Sequence, residues 1–505
     1  MCLQPKVCRL RKGMVNHMYL DQMLGQLEYT CLQGNVHSTV TELVYDSRKA
    51  GKDCVFVCVT GAVSDGHVYV QEVVGKGAAA IVVERDVDVP SSVTVIRVSD
   101  TRQALAFMAA AYFGNPAEKL ITIGITGTKG KTTSAYMIKS ILEQNGKKTG
   151  LIGTIETVIG DKAIPARNTT PESYQVQETF AKMVEEGCEC VVMEASSQGL
   201  MLHRVDGFVF DYGIFTNIEP DHIGENEHKD FADYLFCKRK LFSQCKVGLI
   251  NIDDSHAQDI LKGHSCKVET FGFSEEADIR ATDTKLLKKL GYLGISYHVK
   301  GLMDFPVAID IPGKFSVYNS LCAIALCRHF GVKEEDIQKS LNQVKVRGRV
   351  ELVSVSDRFT LMIDYAHNAM SLSSLLSTIR EYHPKRLVCL FGCGGNRAKS
   401  RRFEMGEISS HLADLTVVTS DNPRFEEPQE IINDILVGVK KGSGQYVEII
   451  DRKEAIRYCI THAQEGDVIV LAGKGHEDYQ EIKGVKHHMD ERELIQDILV
   501  EEKLV

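Results

Sequence analysis

The stretch Gly124-Ile-Thr-Gly-Thr-Lys-Gly-Lys-Thr-Thr133 follows directly on the apolar, β-rich run from Leu120 to Ile123. Glycines let backbone N–H groups approach an anionic oxygen. Lys131 brings a mobile positive charge to the β- and γ-phosphates of a nucleotide, and Thr132 offers its hydroxyl to Mg²⁺ at the start of the next helix. The pattern predicts strand, phosphate loop and helix in that order, with Gly127, Thr128, Lys129, Gly130, Lys131, Thr132 and Thr133 around ATP or GTP. A standard phosphate loop spaces its two glycines about five positions apart and would need glycine where this chain has Ile125. Here the glycines stand at 124, 127 and 130, so the loop is a variant of the common form.

Downstream the same grammar recurs, a short apolar strand followed by a polar or acidic residue: Cys190 to Met193 before Glu194, Gly213 to Phe215 before Thr216, Val247 to Ile252 before Asp253. After Lys345-Val-Arg-Gly-Arg349 it returns. Phe359 to Ile363 precedes Asp364, Leu387 to Phe391 a Gly-Cys-Gly-Gly turn, Leu415 to Thr419 Asp421, and Val468 to Ala472 Gly473. Open parallel sheets bind ligands at the carboxyl ends of their strands, so these four ligand-capable loops are expected on one edge of one sheet. Upstream, Thr41 to about Val98 alternates apolar runs (Cys54 to Val59, Ala79 to Val83) with glycine-bearing turns and a helical stretch near Val68 to Gly77. That is the pattern of small α/β units, and Asn115-Pro116 interrupts it.

With 505 residues the chain exceeds one core, and at roughly 100 to 200 residues per domain three are expected, divided as 1–116, 117–344 and 345–505. A net charge of −9 argues against a general nucleic-acid binder, which needs a basic face to replace counterions. The 15 cysteines have no regular spacing, and the pairs Cys188/Cys190 and Cys389/Cys393 lack the histidine context of a zinc site. Free thiols in a reducing compartment follow. Lys6, Arg9, Arg11 and Lys12 precede no apolar segment long enough for a signal peptide, and no run of ~18 apolar residues occurs. A cytoplasmic protein without membrane contact is expected.

Three further stretches bear on chemistry. In Val191-Val-Met-Glu-Ala-Ser-Ser-Gln198, Glu194 at a strand end can take Mg²⁺, although a lone carboxylate there is more often a cap or ion-pair partner. In Phe215-Thr-Asn-Ile-Glu-Pro-Asp-His222, His222 is a candidate second metal ligand, whereas a single histidine after aspartate is usually structural. Lys238 follows in Tyr234-Leu-Phe-Cys-Lys-Arg-Lys-Leu-Phe242.

Thr126-Gly-Thr-Lys-Gly-Lys-Thr132, Glu194-Ala-Ser-Ser197, Thr216-Asn-Ile218 with Asp221-His222, and Asp364-Tyr-Ala-His-Asn368 together resemble the Mur ligases, ATP-dependent amide-forming enzymes of peptidoglycan precursor synthesis, over nearly the whole chain. The resemblance implies an α/β protein of three domains: a small α/β UDP-sugar-binding domain, a central P-loop ATPase-like parallel sheet and a C-terminal Rossmann-like domain. It implies Mg²⁺ on Thr132, Glu194, His222 and Lys238, the last carbamylated as the Lys-x-x-x-Phe pattern of Lys238 and Phe242 suggests; a bland surface lysine is the alternative. It further places Asn319, in Gly313-Lys-Phe-Ser-Val-Tyr-Asn319, on the adenine side, and has Arg349 and Asp364 reach the nucleotide.

Asp46-Ser-Arg48, Gly61 and Asp65-Gly-His67, with Asn168-Thr-Thr-Pro171, resemble the members that add the third amino acid of the stem peptide. Ser47 is then expected on UDP, and Thr169, Thr170, Ser196 and Arg204 on the muramoyl-dipeptide; on their own these motifs read as a cap and a turn. Asp421-Asn-Pro-Arg424 resembles the members that use meso-diaminopimelate. That amino acid carries a far-end carboxylate which lysine lacks, and a guanidinium can grip it with two parallel hydrogen bonds. Arg397 in Cys393-Gly-Gly-Asn-Arg397 matches a second carboxylate-binding arginine, and Gly473 and Glu477 match contacts to the far amino group. Asp421, Asn422, Pro423 and Arg424 complete that set.

The chain departs from the family at Gln198, Ala369 and Asn396, where His, Pro and Asp are usual, and in Asp221-His-Ile-Gly-Glu-Asn-Glu-His228, which is two residues long. These departures suggest a divergent branch. The expected partners are UDP-N-acetylmuramoyl-L-Ala-D-Glu and meso-diaminopimelate, with L-lysine or another diamino acid as the alternative, and ATP with Mg²⁺; a monomer is expected. A folylpolyglutamate-type ligase shares the phosphate loop but not the N-terminal motifs. A non-catalytic precursor-binding paralogue would not need Lys131, Glu194, His222 and Lys238 intact.

Overall fold

A computed structural model describes residues 18–61, 64–224 and 227–504. Lys6, Arg9, Arg11 and Lys12 lie outside the described residues, as do Glu225 and Asn226 of the long 221–228 segment. The chain packs as two compact units, residues 1–278 with 322–332, and residues 279–321 with 333–505.

The first unit holds two large sheets and a short antiparallel pair, Met18–Tyr19 with Thr39–Val40. In the N-terminal one, Thr94–Arg97, Ala80–Val83, Val55–Val57 and Leu43–Val44 run parallel, with Thr30–Gln33 antiparallel at the edge. β-branched residues fill the strands. Ala80–Val83 is wholly buried, and helix Thr101–Tyr112, capped by Asp100, lays Leu105, Met108 and Ala109 on the same core as Val55 and Val82. The stretch expected to be helical near 68–77 is a 3₁₀ turn Gly66–Tyr69 followed by helix Val70–Gly75.

The central sheet orders its parallel strands as Thr149–Ile152, Cys190–Glu194, Ile121–Thr126, Phe210–Phe215, Cys245–Asn251 and Lys267–Gly272. Both faces are covered, which is why these strands read as continuous apolar runs rather than alternating ones. Val191, Met193, Phe210, Phe215, Leu241 and Phe242 meet in its core. The hairpin Glu156–Ile159/Lys162–Pro165 adds an antiparallel edge.

In the second unit Ile279–Lys289, Tyr292–Gly301 and Phe305–Ile309 form antiparallel pairs. A six-stranded sheet follows, ordered Glu351–Val353, Thr360–Asp364, Asp467–Ala472, Arg386–Phe391, Leu415–Val418, Gln445–Glu448 and parallel except for the first. The four strands expected from sequence are neighbours in it, so their loops do share one edge. The small hairpin Tyr479–Ile482/Val485–His488 was not expected. It turns at Lys483 and Gly484, both at positive φ, the backbone that tight two-residue hairpin turns demand.

Among the described residues no helix is long and apolar enough to cross a membrane. The cysteines described are free, and all but Cys31 are buried.

Candidate active site

Strand Ile121–Thr126 delivers the chain into the glycine loop, and helix Lys131–Gln144 leaves it with Gly130 as a left-handed cap. Gly127 has φ +153, and a Cβ there would lie 1.9 Å from Thr216 Oγ1, so only glycine lets the loop pass. The neighbouring strand end braces it from outside. Thr128 N donates to Asn217 O at 2.9 Å, Lys129 N to Asn217 Oδ1 at 2.9 Å, and Thr216 Oγ1 to Lys129 O at 2.7 Å. Lys131 Nζ donates to the carbonyl oxygens of Gly127 and Thr128, at 2.7 and 3.1 Å.

Glu194, at the end of its strand and 1% exposed, is the hub of the site. Its carboxylate accepts from Thr132 Oγ1 at 3.1 Å, Thr154 N at 2.9 Å and Thr154 Oγ1 at 2.9 Å. Gly153 permits this approach, because a Cβ on it would lie 2.5 Å from Glu194 Oε1. A carboxylate flanked by two hydroxyls is an all-oxygen donor set, which fits Mg²⁺.

Lys238 sits on helix Phe231–Ser243, 1% exposed. Its Nζ donates to Gly127 O at 2.8 Å and lies 4.4 Å from the centre of the Tyr234 ring. Burial, reinforced by the Lys131 charge, holds its ammonium well below the ordinary lysine range. Both lysines thus converge on one carbonyl oxygen. His222 is left-handed at φ +53 and half-exposed, its ring 6.2 Å from that of Tyr234 and its Nδ1 3.3 Å from Glu227 Oε1. His228, two residues later than the family spacing, is fully buried and pairs with Asp233 at 3.0 Å.

Thr170 Oγ1 donates to Glu194 O at 2.8 Å and accepts from Ser196 N at 2.9 Å, while Ser196 Oγ caps the helix Ser197–Met201. Thr169 Oγ1 lies 3.1 Å from Thr154 Oγ1. Arg204 donates to Thr170 O at 3.1 Å and pairs with Glu172 at 2.7 Å. Thr169, Thr170, Ser196 and Arg204 are therefore one cluster joined to Glu194. Ser47 is further upstream, in a 3₁₀ turn that Asp46 caps through Arg48 N. Asp65 and His67 serve the fold: Asp65 caps the next turn, and the buried His67 accepts from Glu84 N at 3.0 Å.

In the second unit, Asn319 is buried on helix Lys314–Cys327. Asp364 accepts from Val350 N and Ala366 N, both at 2.8 Å, and burial raises its pKa. Arg349 stacks 4.6 Å over the Tyr365 ring. The loops at 392–397 and 421–426 are zipped together, Gly395 N donating to Asn422 O at 2.9 Å, and a Cβ on Gly394 would lie 3.2 Å from Arg424 Nη1 and 3.9 Å from Arg397 Cγ. The two arginines flank one glycine. Arg424 Nη1 donates to Gly395 O at 2.7 Å and its Nε to Glu481 at 3.2 Å. Asn422 Nδ2 donates to Glu477 Oε2 at 3.0 Å, and Gly473, at φ +107, faces Asp421 Oδ2. Arg452, 3% exposed, ties these strand ends from below through Ser420 O and Ala472 O.

Sequence reasoning passed over Thr154, Asn217, Tyr234, Glu172, Lys474 and Glu481. Asn217 stood inside a quoted motif without a role. Thr154 follows Thr149–Ile152, a strand whose end carried no acidic flag. Lys474 and Glu481 owe their places to the hairpin, whose two short strands gave no strong periodic signal.

Residues 39–113 match the Mur ligase family catalytic domain, 125–327 the Mur ligase middle domain, and 348–475 the Mur ligase glutamate ligase domain. A Clostridium perfringens protein named UDP-N-acetylmuramoyl-L-alanyl-D-glutamate--2,6-diaminopimelate ligase is 44% identical over 489 residues, 95% of this chain and 99% of that one. A Caldanaerobacter subterraneus protein of the same name is 42% identical over 93% of this chain and 97% of its own. A solved structure bearing that name superposes with a TM-score of 0.72 at 26% identity, covering 97% of this chain and 100% of the other. The chain is thus an ATP-dependent, amide-forming ligase of three-domain α/β architecture. It belongs to the Mur ligase family.

Proposed function

We propose that this protein joins meso-diaminopimelate to the D-glutamate of UDP-N-acetylmuramoyl-L-Ala-D-Glu, with ATP, in the cytoplasm as a step of peptidoglycan precursor synthesis. The observation that carries the reading is 44% identity along 95% of the chain to a relative named for that reaction. The Asp421-Asn-Pro-Arg424 loop, zipped against Arg397's loop, adds support for an amino acid with a charged far end.

The substrate carboxylate attacks the γ-phosphate of ATP, giving ADP and an acyl phosphate. The incoming amine then attacks the acyl carbon, and phosphate leaves from a tetrahedral intermediate. The chain's work is alignment and charge neutralisation. Loop residues Gly127 to Thr133 wrap the phosphates, with Lys131 swinging from its carbonyl partners onto them. Thr132, Glu194, His222 and carbamylated Lys238 are the residues that would hold Mg²⁺, which when bound offsets the repulsion between carboxylate and triphosphate. A buried, neutral Lys238 amine is a nucleophile for CO₂: its lone pair forms the N–C bond as a C=O π bond opens onto oxygen, one N–H proton leaves, and a neutral amine becomes an anionic carbamate ligand. Asn319, Arg349 and Asp364 are assigned to ATP on the second unit.

The cluster Thr169, Thr170, Ser196 and Arg204 is assigned to the muramoyl-dipeptide and Ser47 to UDP, in a domain ending near residue 116. Arg397, Asp421, Asn422, Pro423, Arg424, Gly473 and Glu477 are assigned to the amino acid, in a domain beginning near 345. Phosphate release with ATP, Mg²⁺ and UDP-muramoyl-dipeptide tests the whole reading when diaminopimelate, lysine and ornithine are offered in parallel. Diaminopimelate should stimulate release most. Equal or greater stimulation by lysine would reassign the amino acid, and no release with any of them would refute the activity.

A further inference from the structure

Lys474 is completely buried in the amino-acid end of the second unit, and all three of its N–H donors are spent on that end. Nζ donates to Asn422 Oδ1 at 3.0 Å, to Glu477 Oε2 at 2.8 Å and to the carbonyl of Tyr479. The carboxylate of Asp421 lies 4.0 Å away. None of these partners is a core strand residue; all sit on the loops and hairpin that carry the amino-acid assignments.

We propose that Lys474 is a positioning residue for recognition of the added amino acid, holding Asn422 and Glu477 in the orientation in which they meet it. The inference rests on the assignment of Asn422 and Glu477 made above. Asn422 Oδ1 accepts from Lys474 and from Glu481 N at 2.9 Å, which uses both acceptor sites of the amide oxygen and fixes which way the amide faces. Its Nδ2 donates to Glu477 at 3.0 Å. Both bonds to Glu477 fall on Oε2, which leaves Oε1 to accept from a ligand's ammonium. Three anionic or carbonyl oxygens and one amide are thereby locked around a single cation that never reaches the ligand. Remove it and the carboxylates of Glu477 and Asp421 repel each other in a buried setting, while the amide loses its reason to face one way.

The test uses the full chain with Lys474→Gln and Lys474→Met. The KM for diaminopimelate should rise about tenfold or more, while the KM values for ATP and UDP-muramoyl-dipeptide stay within about twofold. Acyl phosphate trapped by hydroxylamine in the absence of amino acid should form at close to the unsubstituted rate. An unchanged KM for diaminopimelate, or an equal fall in trapping and in amide formation, overturns the proposal. Where the single variants fail to fold, Lys474→Met is placed on an Asn422→Ser, Glu477→Gln background, which removes both side chains it is proposed to hold. There Lys474→Met should add less than about twofold to the KM already raised by that pair, and a further rise of about tenfold overturns it. Asn422→Ser and Glu477→Gln alone separate the two failures. If neither raises the KM, the assignment of the site falls; if both do and the Lys474 variants do not, only the positioning role falls.

Discussion

The glycine loop around Gly127 and the loops assigned to the amino acid differ in how their cations are partnered. Around Gly127, the side-chain nitrogens of Lys131 and Lys238 converge on one carbonyl oxygen, and burial together with the Lys131 charge favours the neutral form of Lys238. Around Asn422, three cations have carboxylates: Arg424 with Glu481, Lys474 with Glu477, and Arg402 with Glu426 and Asp434. The difference matches the ligands proposed for the two regions. A triphosphate brings several negative charges and completes an electropositive cradle, whereas an amino acid arrives as a zwitterion and suits a site already near neutrality. Substitutions should therefore remove a needed charge in the first region and unbalance a pair in the second.

The largest effect is expected at Lys131. Lys131→Ala should cut kcat/KM by about a thousandfold or more, in an ATP-dependent phosphate-release assay; survival of substantial activity would break the idea of an electropositive cradle. Lys238→Ala should follow, with a loss on the order of 100-fold that extra bicarbonate cannot restore and a small added carboxylate partly can. Full activity in that variant removes the carbamate. In the balanced region, Arg424→Ala should cost about 1–3 kcal/mol toward diaminopimelate and little toward lysine, read as the ratio of kcat/KM values. Thr154→Val deletes one hydroxyl bond to Glu194 and should raise the Mg²⁺ needed for half-maximal rate about tenfold, with the ATP KM at saturating Mg²⁺ little changed.

The smallest effect concerns acid. Burial, then the charges of Arg349, Arg347 and Arg492, push His476 down from the usual 6.5 to about 3. The unfolded chain therefore takes up this proton at higher pH than the folded one. Between pH 6.5 and 3 the unfolded state holds more protons, so stability falls as pH falls through that window. Urea unfolding at about pH 7 and pH 5 should show the loss in the native chain and a smaller one in His476→Gln; equal losses would show that burial and the arginines do not depress His476.

Much of this was legible without coordinates. The four strands ahead of Asp364, the Gly392 turn, Asp421 and Gly473 were visible because parallel strands buried on both faces leave unbroken apolar runs, and all four pair side by side. Glu194 was visible as an acid closing such a run. Thr154 was not, since its partner Glu194 lies 40 residues away and nothing local marks a hydroxyl as a carboxylate's donor. Glu481 and Lys474 were hidden for a similar reason: the hairpin that seats them has an edge strand, Val485–His488, exposed throughout, and so leaves no hydrophobic signature.

The sequence by itself determined the α/β class, the phosphate cradle and the family, because each is encoded over short, contiguous stretches in which backbone geometry and residue type are inseparable. Only the tertiary structure decided the charge pairing in the loops assigned to the amino acid, the hub at Glu194 and the approach of His222 to Glu227. Those depend on which distant side chains share a few ångströms once the sheets form, and such proximity is a property of the packed chain.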